Sequence, residues 1–280
     1  MASFSVHKIA LGDGLVLDSS PIVNVDDDVV IGQCLAKKLP DMLGDNIYSS
    51  VCGKIRKIEL DKVATGKANC ITIDVDLENQ NNNFLTPIED LKKEELLTRL
   101  NGYGLYDKTF IENYAINIDL SCKDNYEPLD AVLLRKLTKE IIEAIKILSA
   151  LDLEIKVRAD KLTKKMFKQL CKENALNIKF VKEEFSYFCD SRYLIDVYNA
   201  VRLGKPPIET FLIVNGGAAK NPCVAKVKVG TMASEVIIAS GGEIFPYVQY
   251  KYAENIAADT YGEYLELRDE YDNAPESYRV

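Results

Sequence analysis

The chain has 280 residues, of which 47 % are hydrophobic and 28 % charged, and its formal net charge is −8. That balance excludes disorder, and the acidic excess argues against nucleic acid, whose phosphates need clustered lysine and arginine. Apolar runs reach about four residues against the ~20 needed to cross a bilayer, and MASFSVHKIALGDG lacks a charged region followed by an apolar block, so a cytoplasmic protein without signal peptide or membrane span is expected.

The first 80 or so residues read as strands. Val16-Leu17, Ile22-Val23, Val29-Val30-Ile31, Ile55, Ile58 and Ile71-Thr72-Ile73-Asp74-Val75 are short β-branched runs, separated by turns such as Gly12-Asp13-Gly14 and Leu43-Gly44-Asp45. Gly32 and Gly53 stand inside two runs, VVIGQCLA and IYSSVCGKI, and imply places where the strand turns sharply and a Cβ would clash. The polar stretch Glu78-Asn79-Gln80-Asn81-Asn82-Asn83 reads as a loop and a domain boundary, because asparagine side chains compete for backbone hydrogen bonds.

From about 84 to 205 helix and strand alternate. Thr86-Pro87-Ile88-Glu89 reads as a helix start, with Thr as cap, Pro at the first helical position and Glu at the third. A glycine-containing loop and a strand over Tyr114–Leu120 precede one long helix from about Asp130 to Ala150, with Leu133, Leu134, Leu137, Ile141, Ile145 and Leu148 at helical spacing. A strand at Leu153–Val157, a helix at Thr163–Asn174, a strand at Ile178–Val181 and a helix at Ser191–Leu203 follow, the last closed by Gly204 and Pro206-Pro207. This alternation implies a parallel, doubly wound sheet. The basic stretch Lys161–Lys168 carries Leu162, Met166 and Phe167 at helical spacing and reads as the solvated side of an amphipathic helix. In the third segment, strand Thr210–Val214, turn Asn215-Gly216-Gly217, strand Cys223–Val229 and short helix Ser234–Ala239 are compatible with the opening of a β-grasp. The tail beyond Asn255 is acidic, tyrosine-rich and expected to be partly helical.

Seven cysteines, Cys34, Cys52, Cys70, Cys122, Cys171, Cys189 and Cys223, are odd in number, and no two lie closer than eighteen positions. That spacing fits neither a disulfide framework, nor ferredoxin-type clusters, nor zinc knuckles. Each reads as a small buried hydrophobe. His7 is the single histidine, which argues against His-based metal sites and His-activated nucleophiles.

VVIGQCLAKK followed by IYSSVCGKIRKIEL resembles the signature V-x-x-G-Q-x-I-G … A-P-V-H-A-S-V-S-G-K-V of the C subunit of Rnf-type complexes (RnfC). FLIVNGGAAKNPCVAKVKVGTMASEVIIASGG resembles the soluble-ligand-binding β-grasp (SLBB) stretch of the same family. The resemblance covers roughly residues 1 to 245 and rests on the order of motifs. It implies an α/β multi-domain chain: a barrel-sandwich hybrid at 1–82, a Rossmann-like α/β domain at 83–206, an SLBB-type β-grasp at 207–255 and an acidic tail at 256–280. Biotinyl and lipoyl carriers share the barrel-sandwich hybrid, but their modifiable lysine turn is missing here, which argues against a swinging arm.

Members of that family hold a flavin or dinucleotide on a glycine-rich loop, where successive glycines let backbone amides approach phosphate. The matching stretch, Asn101 to Phe110, keeps only Gly102 and Gly104, and these are the candidate cofactor-binding residues. Tyr103 and Tyr106 are expected to fill cofactor space there, and Asp107 to repel a phosphate. The family's N-G-x-E-C-E-P-Y run is only echoed by Leu120–Pro128, and its C-x-x-C-x-x-C-x-x-x-C-P runs have no counterpart. The resemblance therefore implies an accessory or scaffold subunit of an electron-transfer complex, with no catalytic residue, metal or cofactor. Its partners are then other oxidoreductase subunits, through which any peripheral membrane association would run. Three alternatives remain open: a flavoprotein holding FMN in an altered Gly102–Thr109 loop, a small-molecule-binding SLBB module, and thiol redox chemistry at Cys52 and Cys223 beside Lys54 and Lys220.

Overall fold

The computed structural model describes residues 6–11, 19–39, 46–63, 66–106, 111–112, 115–121, 129–185, 188–215 and 220–241. Packing divides the chain into two units: unit 1 joins the residues up to Asn83 with those from Ile208 onward, and unit 2 is Phe84–Pro207. The turns at Gly12 and Gly44, the 107–110 and 122–128 stretches, the 216–217 turn and the acidic tail lie outside the described residues.

Unit 1 opens with seven strands: β1 (Val6–Ala10), β2 (Ser19–Pro21), β3 (Asp28–Val29), β4 (Cys34–Lys38), β5 (Ile47–Tyr48), β6 (Gly53–Val63) and β7 (Gly66–Val75). One antiparallel sheet has the order β1-β7-β6-β3 and a second the order β2-β4-β5. The long β6–β7 hairpin carries a bulge between Ile55 and Lys57, which adds a bend and extra twist to the ladder. The curled sheet encloses a core of Ile9, Val29, Leu35, Ile55, Ile71 and Ile73, with Val229 of the third segment packed against it. Both glycines singled out in the sequence are required by the backbone. Gly32 has φ +82°, and a Cβ on Gly53 would stand 2.1 Å from the Asp74 carbonyl oxygen. The polar stretch after β7 is fastened to the same unit: Cys52 Sγ donates to Asn81 O at 3.0 Å, and Asn83 N donates to Ile31 O at 2.7 Å.

The third segment is held at β1. Lys8 N donates to Gly230 O at 3.0 Å. Ser50 donates its hydroxyl proton to Val229 O at 2.6 Å, so its oxygen accepts from His7 Nδ1 at 3.2 Å, and the neutral ring carries its proton on Nδ1. Burial lowers the His7 pKa to about 4; the bond at Val229 opposes the shift and the charge of Lys228 adds to it.

Unit 2 contains α1 (Lys93–Gly102), β8 (Ile111–Glu112), β9 (Ala115–Leu120), α2 (Leu129–Lys136), α3 (Thr138–Ser149), β10 (Glu154–Ala159), α4 (Lys161–Glu173), β11 (Lys179–Phe180) and α5 (Ser191–Arg202). Its sheet has the order β11-β10-β9-β8, with β9, β10 and β11 parallel and β8 antiparallel at the edge. Past β8, Cys189 continues that edge in parallel with Ile118: Asp119 N donates to Cys189 O at 2.8 Å and Cys189 N to Asn117 O at 2.9 Å. Five of the six β9 residues are buried, as in a strand covered on both faces. Helix α3 packs on α5 and β10, and α4 packs on β10.

Two elements differ from the sequence reading. The helix expected to open at Thr86 begins at Lys93. Residues 85–89 instead bind around the end of α5: Leu85 N donates to Gly204 O at 2.9 Å and Ile88 N to Val201 O at 2.8 Å, while the carbonyls of Thr86, Ile88 and Glu89, which a helix would need as acceptors, accept from Arg99 and Arg202. The single helix expected over 130–150 kinks at Leu137, whose φ −120° and ψ 38° leave the helical region. There the Thr138 hydroxyl donates to Leu134 O at 2.6 Å, a back-bond that bends helices.

In unit 1 the chain closes with β12 (Glu209–Val214) and β13 (Cys223–Lys228), an antiparallel pair, and the short helix α6 (Ala233–Ala239).

Two outcomes are expected. Gly53→Ala costs about 2–4 kcal/mol in urea unfolding, since the clashing group is backbone and has nowhere to move. His7 titrates near 6.5 when unfolded, so stability is full above that pH and falls as pH drops toward 4, by about 3 kcal/mol, because the unfolded chain takes up the proton first. The difference between the pH–stability curves of wild type and His7→Gln should show that slope in wild type alone.

Candidate functional site

The two glycines marked by the sequence lie at the end of α1. That helix is set by buried Leu96 and Leu100 and by Glu94 and Glu95 in its first turn, where carboxylates suit the positive end of the dipole. Gly104 has φ +78°, and around it Leu105 N donates to Leu100 O at 2.8 Å and Gly104 N to Asn101 O at 3.1 Å. Gly104 therefore ends the helix in the left-handed conformation that glycine supplies. Gly102 is the last helical residue, and a Cβ there would meet nothing within 4 Å. It faces a groove of about 450 Å³ lined by Leu85, Ile88, Thr98, Arg99, Gly102 and Tyr103, with Glu94 and Glu95 at its border.

Tyr103 and Arg99, two of the polar groups of this groove, are already engaged. Tyr103 is buried, donates its hydroxyl to Gly204 O at 2.6 Å, and has its phenol pKa raised by that burial. Arg99 donates to Ala200 O at 2.8 Å and to Thr86 O at 2.7 Å. Glu94 and Glu95 add negative charge, which opposes a phosphate.

A second place is defined by sheet topology. Taken in chain order, β9, β10, β11 and Cys189 lie in the spatial order 3-2-1-4, so the order reverses between β9 and Cys189. In open α/β sheets ligands collect at the carboxyl ends of the strands at such a reversal, with anions on a helix N-terminus. Here the chain's own carboxylates occupy that end of α5. Asp190 Oδ1 accepts from Arg192 N at 2.8 Å and Tyr193 N at 3.2 Å. Asp130 Oδ1 accepts from Ser191 N at 3.0 Å and Ser191 Oγ at 2.5 Å. Burial pushes the Asp130 carboxyl above its ordinary range; the Ser191 bonds pull it back and the Asp190 charge pushes it further up.

The same pattern repeats nearby. Asp119, at the carboxyl end of β9 and 4 % exposed, accepts from Arg158 at 3.0 Å, Ser121 N at 2.9 Å and the Ser121 hydroxyl at 2.5 Å. Arg158 in turn reaches Glu184 at 3.0 Å. At the start of α4, Asp160 accepts from Thr163 N at 3.0 Å and Thr163 Oγ1 at 2.6 Å. The sequence reading placed Ser191 at a helix start but did not single out these carboxylates. Asp190 carried a local signal as an N-cap residue. Asp130 carried none, since its partner is 61 positions away.

Among the cysteines, Cys52 is buried and Cys223 exposed. Burial pushes the Cys70 and Cys171 thiols up to about 11, away from the thiolate a nucleophile needs. Among the described residues no group of three or more His, Cys, Asp or Glu stands ready to hold a metal ion, and no helix is long and apolar enough to cross a membrane.

Residues 14–78 match the family described as the RnfC barrel sandwich hybrid domain. The match runs from before β2 to just past β7 and contains both VVIGQCLAKK and SSVCGK. The chain thus has an RnfC-like N-terminal region. No curated protein matches the chain.

If Asp130 fills an anion seat, removing it leaves a buried amide and hydroxyl without their acceptor. Asp130→Ala should lose about 1–3 kcal/mol in urea unfolding, and sulfate should restore part of that loss in the variant while leaving the wild type unmoved.

Proposed function

We propose that this chain is an accessory or scaffold subunit of an RnfC-like electron-transfer complex, in which it binds other subunits and carries no redox chemistry of its own. The RnfC-like region at 14–78 supports the kind of complex. The observation that carries the non-catalytic part is the N-terminus of α5, at the sheet's reversal, where Asp130 and Asp190 take amides that a bound anion would use. On this reading unit 2 is a Rossmann-like domain with its nucleotide seat closed from within, the segment from Ile208 is an SLBB-type β-grasp, and the protein works in the cytoplasm. Tyr103 and Arg99 reinforce the reading, because both are engaged by backbone carbonyls beside the glycines where the family holds its cofactor.

One observation favours a second reading. The groove beside Gly102 has room on the side where a Cβ would point, so FMN held there in an altered way is the alternative. The two readings separate on the purified full-length chain. The accessory reading expects a colourless protein whose melting temperature does not respond to FMN or NADH, since a ligand that binds only the folded state must raise it, and it expects co-purification with RnfC-like oxidoreductase subunits when they are co-expressed. Bound flavin absorbance, or failure to retain any such subunit, would overturn it.

A further inference from the structure

Helix α4 has the sequence KLTKKMFKQLCKE, with five lysines and one glutamate, and no acidic residue in its first turn. Asp160 caps the first turn and Lys172 suits the last, but Lys161 and Lys164 stand at the N-terminal end, where the helix dipole disfavours cations. α1, α2, α3 and α6 place an acidic residue in their first turn; α4, like α5, has none, and it places Lys161 and Lys164 there. Along the helix, Lys161, Lys164, Lys165, Lys168 and Lys172 recur at spacings of three and four, so they share one side of it. The apolar side is used inside the unit, where Phe167 is fully buried and meets Phe180 edge-on at 6.3 Å.

Two of these lysines converge on one ring. Lys164 Nζ lies 5.4 Å and Lys168 Nζ 5.3 Å from the centre of Phe180. Like charges at i and i+4 repel, and the ring face offsets only part of that. Elsewhere lysines have acidic partners: Lys8 and Lys57 with Asp61, Lys93 with Asp152, Lys226 with Glu209. Among the described residues the five lysines of α4 have no carboxylate within ion-pair distance.

We propose that this side of α4 is a docking surface for an acidic protein partner, whose carboxylates complete the pairs left open at Lys164 and Lys168. Two features select a polypeptide over other polyanions. The chain as a whole carries −8, against the basic balance that binding an extended nucleic acid uses. A helix lying on a membrane buries its apolar side in lipid, and the apolar side of α4 is already buried in protein. The inference does not depend on which complex the chain joins.

The test uses the full chain and labelled poly-L-glutamate, with single-stranded oligothymidylate and phosphatidylserine-containing vesicles as rival probes, read by fluorescence anisotropy and co-sedimentation. Poly-L-glutamate should bind wild type in a salt-dependent way, and Lys164→Glu with Lys168→Glu should weaken it about tenfold or more, as charge reversal at a docking patch does. Reversal of exposed Lys92, on another element, should leave binding unchanged. Lys161→Glu should weaken binding while raising Tm by about 1–3 °C, because it repairs the first turn of the helix. Equal loss with Lys92→Glu, no binding at low salt, or tighter binding of oligothymidylate or vesicles would overturn the proposal. A rise in Tm with unchanged binding would do the same.

Discussion

The ends of α5 expose backbone donors and acceptors that have to be met inside the protein, and the way they are met organises unit 2. A buried amide or carbonyl without a partner costs as much as a lost hydrogen bond. At the first turn the donors go to Asp130 and Asp190. At the other end Ala200 O accepts from Arg99, Val201 O from Ile88 N, and Gly204 O from both Leu85 N and the Tyr103 hydroxyl. Arg202 closes the same region by binding Glu143 and the carbonyls of Ile88 and Glu89. One helix thus sets the position of the 85–89 segment, of α1 and of the start of α2. It also fixes Gly204, where φ is +63° and a Cβ would stand 1.6 Å from the Leu85 carbonyl oxygen.

This arrangement accounts for the functional reading as much as for the fold. The residues best placed to hold a phosphate or a flavin are the ones that α5 requires for its own ends. An anion at the N-terminus of α5 would have to displace two carboxylates, one of them buried against Ser191. A flavin beside Gly102 would have to do without Arg99 and Tyr103. In unit 1 the motif SSVCGK serves the backbone in a similar way. The Ser49 hydroxyl donates to Val51 O at 2.7 Å, Ser50 to Val229 O, and Cys52 to Asn81 O, while Gly53 permits the close strand approach. The motif that most resembles RnfC is a folding device.

What the sequence made legible follows the range of the interaction involved. Alternating and helical periodicities placed β6, β7, β9, β10, α4 and α5 close to where they stand, because each buries a face set by its own residues. Gly32 and Gly53 were readable for the same reason. The Thr86-Pro87-Ile88-Glu89 cap misled because the carbonyls its helix would need are taken by Arg99 and by Arg202, the latter more than a hundred positions away. The kink at Leu137 turns on one threonine hydroxyl. The carboxylate network at Asp119, Asp130 and Asp190 was invisible to motif reading, since its members come from three elements and mimic no spacing. Of the marked site residues, Gly104 proved to be a helix terminator and Gly102 a helical residue beside open space.

In unit 2 the buried carboxylates Asp119 and Asp130 are met by the chain's own amides, hydroxyls and an arginine, and the remaining charge lies on the surface. That surface is uneven: carboxylates cap helices and pair with arginines, while Lys161 and Lys164 stand in the first turn of α4, where the dipole disfavours them, and Lys164 and Lys168 crowd one ring. Natural sequences tend to agree across local and global levels, and a local conflict is a sign of a constraint from outside the fold. In the interior, the first-turn amides of α5 are taken by the chain's own carboxylates. On the surface evidence, unit 2 is open to an acidic macromolecule. A subunit that works by holding partners together needs this division, with polar chemistry turned inward for rigidity and charge turned outward for recognition.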